Sequence, residues 1–209
     1  MSRWHTQPPR LGILGGTFDP PHLAHLVLAE QARVQLELAQ VLFCPAGEQP
    51  LKSSQAITPV EHRLAMIELA IAGQAGFRLS RVDIDRPGPH YTADTVALLH
   101  SSFPGHELYF LMGADSLSTV PKWYKPGRII AQVRLIAARR PGFEPDIDQL
   151  EARLPGLRER LTWLDSPWLD IAASDIRRRV REGQSIRYLV PVTVEAYIRQ
   201  QGLYLSTSP

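Results

Sequence analysis

A chain of 209 residues with 44% apolar content has material for one sizeable core, and a formal net charge of +2 gives it no general attraction to nucleic acid. The lone cysteine, Cys44, excludes an intrachain disulfide and a cysteine-based metal site, and it stands in an apolar run where burial is its expected role. The opening Met-Ser-Arg-Trp-His is polar and no run of roughly 18 apolar residues follows anywhere, so neither secretion nor a membrane partner is expected, and a reducing cytoplasm fits.

Short apolar runs bounded by Gly, Pro or polar residues alternate with longer segments of helical period, the pattern of parallel strands joined by crossover helices in an α/β fold. In chain order the strand candidates are Leu11 to Leu14, Val41 to Pro45, Phe77 to Ile84, Leu108 to Met112, Arg134 to Ala138 and Leu161 to Leu164. Thr58-Pro59-Val60-Glu61 combines an N-cap, a proline at the first helical position and a glutamate three residues on, which predicts a helix carrying Leu64, Ile67 and Ile71. Gly142 to Arg160, rich in Pro, Gly and charge, reads as a connection with a short polar helix. A last helix is predicted from about Pro191 to Gln201, with Val194, Tyr197 and Ile198 on one face and Gly202 as its stop. One domain spanning 1–209 is the economical division, with a C-terminal helical portion from about 174.

The densest chemistry lies after the first strand, in Gly15-Gly16-Thr17-Phe18-Asp19-Pro20-Pro21-His22-Leu23-Ala24-His25. Gly15 and Gly16 allow a tight turn and a close backbone approach to a ligand. His22 and His25, three apart, share one helix face near an N-terminus, where amides and the macrodipole favour negative charge. Taken singly, a Gly pair is often only a turn and a histidine often only a core residue; together they read as an anion cradle. The spacing fits neither a Walker A loop nor G-x-G-x-x-G. Farther on, Ile171-Ala172-Ala173-Ser174-Asp175-Ile176-Arg177 opens another helix, with Ser174 as a natural N-cap and Arg177 one turn on. On its own this segment reads first as an ordinary capped helix, with Arg177 to Arg179 and Arg181 on a solvated basic face. No interleaving of aromatic and basic residues accompanies it, so a nucleic-acid surface is not expected.

The first segment resembles the signature GGTFDPxHxGH of the HxGH nucleotidylyltransferases, with Ala24 in the place of the final glycine, and the second resembles their ISSTxIR motif, with Ala172, Ala173 and Ser174 for Ser, Ser and Thr. Arg86 to Thr95, Gly113-Ala114-Asp115, Pro121 to Lys125 and Arg139-Arg140-Pro141-Gly142 are similar to segments of the bacterial nicotinate-nucleotide adenylyltransferases. The resemblance implies a Rossmann-like, doubly wound parallel sheet with helices on both faces. It also implies an enzyme that joins ATP and nicotinate mononucleotide into deamido-NAD with release of pyrophosphate, by in-line attack of the mononucleotide phosphate on the α-phosphorus. Carried over by resemblance, His22 and His25 serve the ATP phosphates, Lys52 the triphosphate side, and Ser174 and Arg177 the β and γ phosphates. Thr17 and Phe18 line the nucleotide path beside Gly15 and Gly16, and Asp115 stands by a ribose or a metal. Tyr91, Thr92, Trp123 and Tyr124 surround nicotinate, and Arg140 lies near the mononucleotide phosphate. Mg²⁺ would travel with ATP and leave with pyrophosphate, needing few or no dedicated protein ligands. An indole such as Trp123 can stack on a pyridine ring, and amides at a helix start by Thr92 would prefer a carboxylate to a carboxamide; on sequence alone, plain packing accounts for Trp123 and Tyr124 equally well. Nothing in the sequence specifies an oligomeric state.

Overall fold

The computed structural model describes residues 8–47 and 57–205. Strands β1 (Arg10–Gly16), β2 (Gln40–Pro45), β3 (Phe77–Leu79), β4 (Glu107–Gly113), β5 (Val133–Ala138) and β6 (Leu161–Leu164) form one sheet in the order β3-β2-β1-β4-β5-β6. Every neighbouring pair is parallel. The apolar runs are nearly continuous along β1, β2, β4 and β5, as strands covered on both faces require. Alternation decides which side chain goes where: Leu11 and Ile13 point to one face and Leu14 to the other.

On the first face pack α3 (Thr92–Ser102), through Ala93, Val96 and Leu99, and α5 (Pro126–Gln132), through Ile129 and Ile130. They are joined there by α6 (Ile147–Arg153) and α7 (Leu157–Arg160), through Leu150 and Leu157. The opposite face is covered by α1 (Leu23–Gln35), through Ala29 and Ala32, and by α2 (Val60–Ile71), through Ile67. The doubly wound arrangement with helices on both faces is therefore present. Two short elements follow β4, namely α4 (Ala114–Leu117) and a 3₁₀ turn at Val120–Lys122. The C-terminal helices α8 (Ala173–Arg181) and α9 (Val192–Gln200) build a separate cluster in which Ile176, Ile186, Val190, Val194 and Ile198 close around Met66 of α2. Gly202 follows α9 at a φ of +61°, the left-handed conformation of a helix stop. No helix among the described residues is long and apolar enough to cross a membrane.

Several local expectations are corrected. The strand predicted over Phe77 to Ile84 ends at Leu79. Ser80 makes the last bond to β2 by donating its N–H to the Phe43 carbonyl at 2.9 Å, after which Ile84 and Asp85 both donate to the Arg81 carbonyl in a turn. The apolar signal ran on because Val82 packs against the core from that turn. The helix predicted after Thr58 forms, but its N-cap is Pro59 and no side chain caps it. Thr58 instead donates its N–H to Asp19 and gives its carbonyl to Arg63. The connection after β5 holds two short helices, α6 and α7, where one was predicted.

Candidate functional site

Between β1 and β4 the strand order reverses, so the crossovers leave in opposite directions and open a crevice at the carboxyl ends of the two strands. The Gly15 to His25 segment lines one wall. The turn chemistry there differs from expectation. Gly15 and Gly16 are the last residues of β1, paired in register with Cys44 and Pro45, and the left-handed residue is Phe18, at a φ of 52°. Gly16 is needed for a different reason: a Cβ there would stand 3.2 Å from the Phe18 ring. That ring is folded inward and 2% exposed, 4.9 Å from the His25 ring and 5.8 Å from Phe43. Phe18 thus supports His25 from beneath, and only its backbone can face a nucleotide path.

His22 is the N-cap of α1 and His25 lies in its first turn. Their rings stack at 3.7 Å with 27° between planes. The His22 backbone N–H donates to His25 Nδ1 at 3.2 Å, which places the His25 proton on Nε2. Burial lowers the His22 pKa to about 4, and burial together with the neighbouring His22 holds His25 well below the ordinary imidazole value. Both rings are therefore neutral at pH 7, each with one N–H to donate. His22 Nδ1 is buried without a hydrogen-bond partner among the described residues, a costly state that a ligand would relieve. One amide of the cradle is already engaged, since Leu23 donates to the Leu189 carbonyl at 2.9 Å.

The C-terminal motif arrives at the same wall. Arg177 donates from Nη1 to the Asp19 carbonyl at 2.7 Å, so the resemblance's two anion-binding segments meet although 158 residues separate them. Ser174 is exposed and is not the N-cap: Ala172 holds that place without a side-chain bond, and Ser174 is the second residue of α8. A second wall belongs to the start of α3, where Tyr91 is the N-cap and Thr92 the first helical residue. Asp94 and Thr95 donate back to the Tyr91 carbonyl at 3.0 and 3.1 Å, while the amides of Thr92 and Ala93 precede any intrahelical acceptor; Thr92 is half-buried and Ala93 fully buried. The Tyr91 ring lies 4.3 Å from that of Tyr124. Trp123 packs edge-on against Phe110 at 5.9 Å and donates from Nε1 to Thr119. Phe110 is also the residue that a Cβ on Gly15 would meet at 3.4 Å, so this aromatic group adjoins the end of β1.

Asp115 and Arg140 form a further pair at the ends of β4 and β5, 2.6 Å apart. The Arg140 guanidinium lies 4.7 Å over the Trp168 ring, beside a cavity of about 880 Å³ that Arg139, Phe143 and Trp163 also line. Arg140 is thus joined to Asp115 and Trp168 rather than to the Tyr91 and Tyr124 rings. Lys52 lies outside the described residues. No three His, Cys, Asp or Glu side chains converge as a metal-ligand set among the described residues. Cys44 is buried, with its thiol pushed up to about 12 by desolvation.

Four residues that build the site were not singled out from the sequence. Asp19 is 3% exposed and accepts from Tyr204 at 2.6 Å. Arg63, 4% exposed, donates to the carbonyls of Thr17, Ala46 and Thr58 at 2.9, 2.9 and 3.0 Å. Asp83 accepts from Thr95 and Arg86 and so fixes the start of α3. A signal existed for Arg63, a charge on the apolar stripe with Leu64 and Ile67; none existed for Tyr204, which follows the last helix.

The cytidylyltransferase-like family model matches residues 13–179. A "probable nicotinate-nucleotide adenylyltransferase" of Thermomicrobium roseum is 51% identical over 93% of this chain and 91% of its own length. One from a Roseiflexus species is 49% identical over 93% and 97%. Among solved structures, nicotinic acid mononucleotide adenylyltransferase of Plasmodium falciparum, complexed with NaAD, superposes with a TM-score of 0.75 at 20% identity, covering 94% of this chain and 97% of that one. That likeness establishes the fold, and the relatives establish the lineage. A cytidylyltransferase-like domain with such identity along nearly its whole length belongs to the nicotinate-nucleotide adenylyltransferase family.

Proposed function

We propose that the chain transfers AMP from ATP to nicotinate mononucleotide, giving nicotinic acid adenine dinucleotide and pyrophosphate. The observation that carries this reading, beside the family, is the convergence of two neutral stacked imidazoles, one with an unsatisfied nitrogen, and Arg177 at the strand-order switch. An oxygen of the mononucleotide phosphate attacks the α-phosphorus, a new P–O bond forms, and the bond to the β-phosphate oxygen breaks with its electrons leaving on pyrophosphate. The nucleophile is already ionised at neutral pH. Catalysis on this reading is alignment of two anions together with stabilisation of the charge that moves to the leaving group. His22 and His25 donate to ATP phosphate oxygens, as neutral groups that neither need nor gain a proton to act. Arg177, with the first turn of α8 at Ser174, meets the β and γ phosphates, and Lys52 the triphosphate side. Gly15, Gly16 and Thr17 carry the backbone that passes between the two substrates, with Phe18 beneath. Asp115 takes an adenosine ribose hydroxyl, held by Arg140, and Arg140 also faces the mononucleotide phosphate.

The nicotinate carboxylate is received by the amide donors at the start of α3, at Thr92, with Tyr91, Trp123 and Tyr124 around the ring. A carboxamide would turn its NH₂ toward those donors and leave groups unpaired. Mg²⁺ would enter with ATP and would supply charge neutralisation on the phosphates, with few or no ligands from the protein. The test is pyrophosphate release from ATP and Mg²⁺. Release is expected only when nicotinate mononucleotide is added, and its absence with folded protein contradicts the assignment.

A further inference from the structure

Asp19 sits in the turn between β1 and α1 and is almost wholly buried, so its carboxylate must be compensated from nearby. Three segments remote in sequence do so. Tyr204 donates its hydroxyl to Oδ1 at 2.6 Å, the Thr58 N–H donates to Oδ2 at 3.2 Å, and Arg177 Nη1 stands 4.0 Å from Oδ2 while its hydrogen bond goes to the Asp19 main-chain carbonyl at 2.7 Å. Arg63, which runs to the carbonyls of Thr17, Ala46 and Thr58, is the other cation whose charge reaches this carboxylate.

This division of partners has a consequence for Arg177. An arginine and a carboxylate left to themselves close into a bidentate pair with two parallel N–H···O bonds. Here the phenol holds Oδ1 and a backbone amide holds Oδ2, and the guanidinium is kept at one remove, hydrogen-bonded through Nη1 to the main-chain carbonyl and 4.0 Å from Oδ2. We propose that Tyr204 is a positioning residue for the transfer reaction: by occupying the Asp19 carboxylate it keeps Arg177 from folding onto Asp19 and leaves its guanidinium aimed at the leaving phosphates. The proposal rests on the reading of Arg177 as a phosphate ligand.

The remainder of Tyr204 is built for such a fixed role. Its ring packs in the cluster of α2, α8 and α9, with the hydroxyl 3.9 Å from the Met66 sulfur. The backbone reaches it through the Leu203 N–H, bonded to the Ile198 carbonyl at 3.0 Å at the end of α9. The residue itself stands at a φ of 65°, in the left-handed region that non-glycine residues rarely adopt. Burial, with Asp19 alongside, raises its pKa far above the ordinary phenol value, so the hydroxyl remains a donor at every working pH.

Tyr204→Phe keeps the ring and removes only the donor. Steady-state kinetics with ATP, Mg²⁺ and nicotinate mononucleotide should show kcat/KM for ATP lowered by roughly 10- to 100-fold, the scale of a misaligned binding group, with KM for the mononucleotide changed less than about twofold. Product inhibition by pyrophosphate should weaken in parallel, which a loss of stability alone would not produce. In an Arg177→Ala background the same substitution should cost nothing further, and likewise in Asp19→Asn, where no carboxylate remains to draw the guanidinium. Wild-type ATP kinetics and pyrophosphate inhibition in folded Tyr204→Phe, while Arg177→Ala weakens both, overturn the proposal alone. So does a loss that adds fully to that of Arg177→Ala. An Arg177→Ala variant with unchanged pyrophosphate inhibition removes the phosphate reading and the proposal with it.

Discussion

On the proposed reading, the stacked pair at the crevice gives the reaction donors that carry no charge of their own. Two imidazoles 3.7 Å apart would repel if both were protonated, and burial already opposes charge on each. His22→Ala should therefore lower kcat by roughly 10² to 10³, the usual loss when a preorganised donor to developing charge is removed, with ATP binding weakened less. His22→Asn keeps an N–H but cannot take up a proton near pH 7 and should retain more activity than alanine. Equal and complete inactivity of both, with fold and ATP binding intact, would point to proton transfer instead. The same burial makes stability depend on pH. Between about 4 for His22 in the folded protein and the ordinary 6.5, the unfolded chain binds a proton that the folded chain refuses. Stability contributed by the neutral ring is thus fully present above 6.5 and is lost as pH falls toward 4, by up to about 3 kcal/mol. Urea unfolding should show a steeper loss from pH 7 to pH 4.5 in the wild type than in His22→Asn. Parallel curves for the two would contradict the neutral assignment.

At the scale of elements, the site is assembled by loops that one buried arginine ties together. Arg63 projects from α2 and joins the loop after β1, through the Thr17 carbonyl, to the end of β2, through Ala46, and to the start of its own helix, through Thr58. Arg63→Met preserves the stem but strands three carbonyls, that of Ala46 buried and those of Thr17 and Thr58 partly so, and should cost on the order of 3 kcal/mol in denaturant unfolding. Arg63→Lys should recover only part of this, because a point charge cannot span three acceptors. A loss below about 1 kcal/mol would mean that these loops hold themselves. Much of this scale was legible in advance. The helix after Thr58 and the last helix follow from their apolar spacing, and each strand except the third ends within three residues of its expected bounds. Caps were less legible. Thr58, Thr92 and Ser174 are good capping residues by type, yet the caps are Pro59, Tyr91 and Ala172; at Thr58 the main-chain N–H is held by a tertiary partner, Asp19, that no local pattern announces. The double glycine suggested a turn; in the fold its smallness serves the Phe18 ring.

At the scale of the molecule, strand order brings together what the sequence keeps apart. The 3-2-1-4-5-6 order places the ends of β1 and β4 side by side, and the C-terminal cluster on Met66 carries Arg177 and Tyr204 back to Asp19. The motif residues were visible as motifs; the connections among them were not, since a buried carboxylate shared by Thr58, Arg177 and Tyr204 leaves no periodic trace. On the proposed reading, this crevice joins ATP to an acidic pyridine nucleotide recognised at the start of α3. The most direct test is kcat/KM for nicotinate mononucleotide against nicotinamide mononucleotide, each with ATP and Mg²⁺. A preference for the acid of at least about a hundredfold is expected, since a site built to pair a carboxylate leaves donors facing donors with the amide. Comparable values for the two substrates would contradict it.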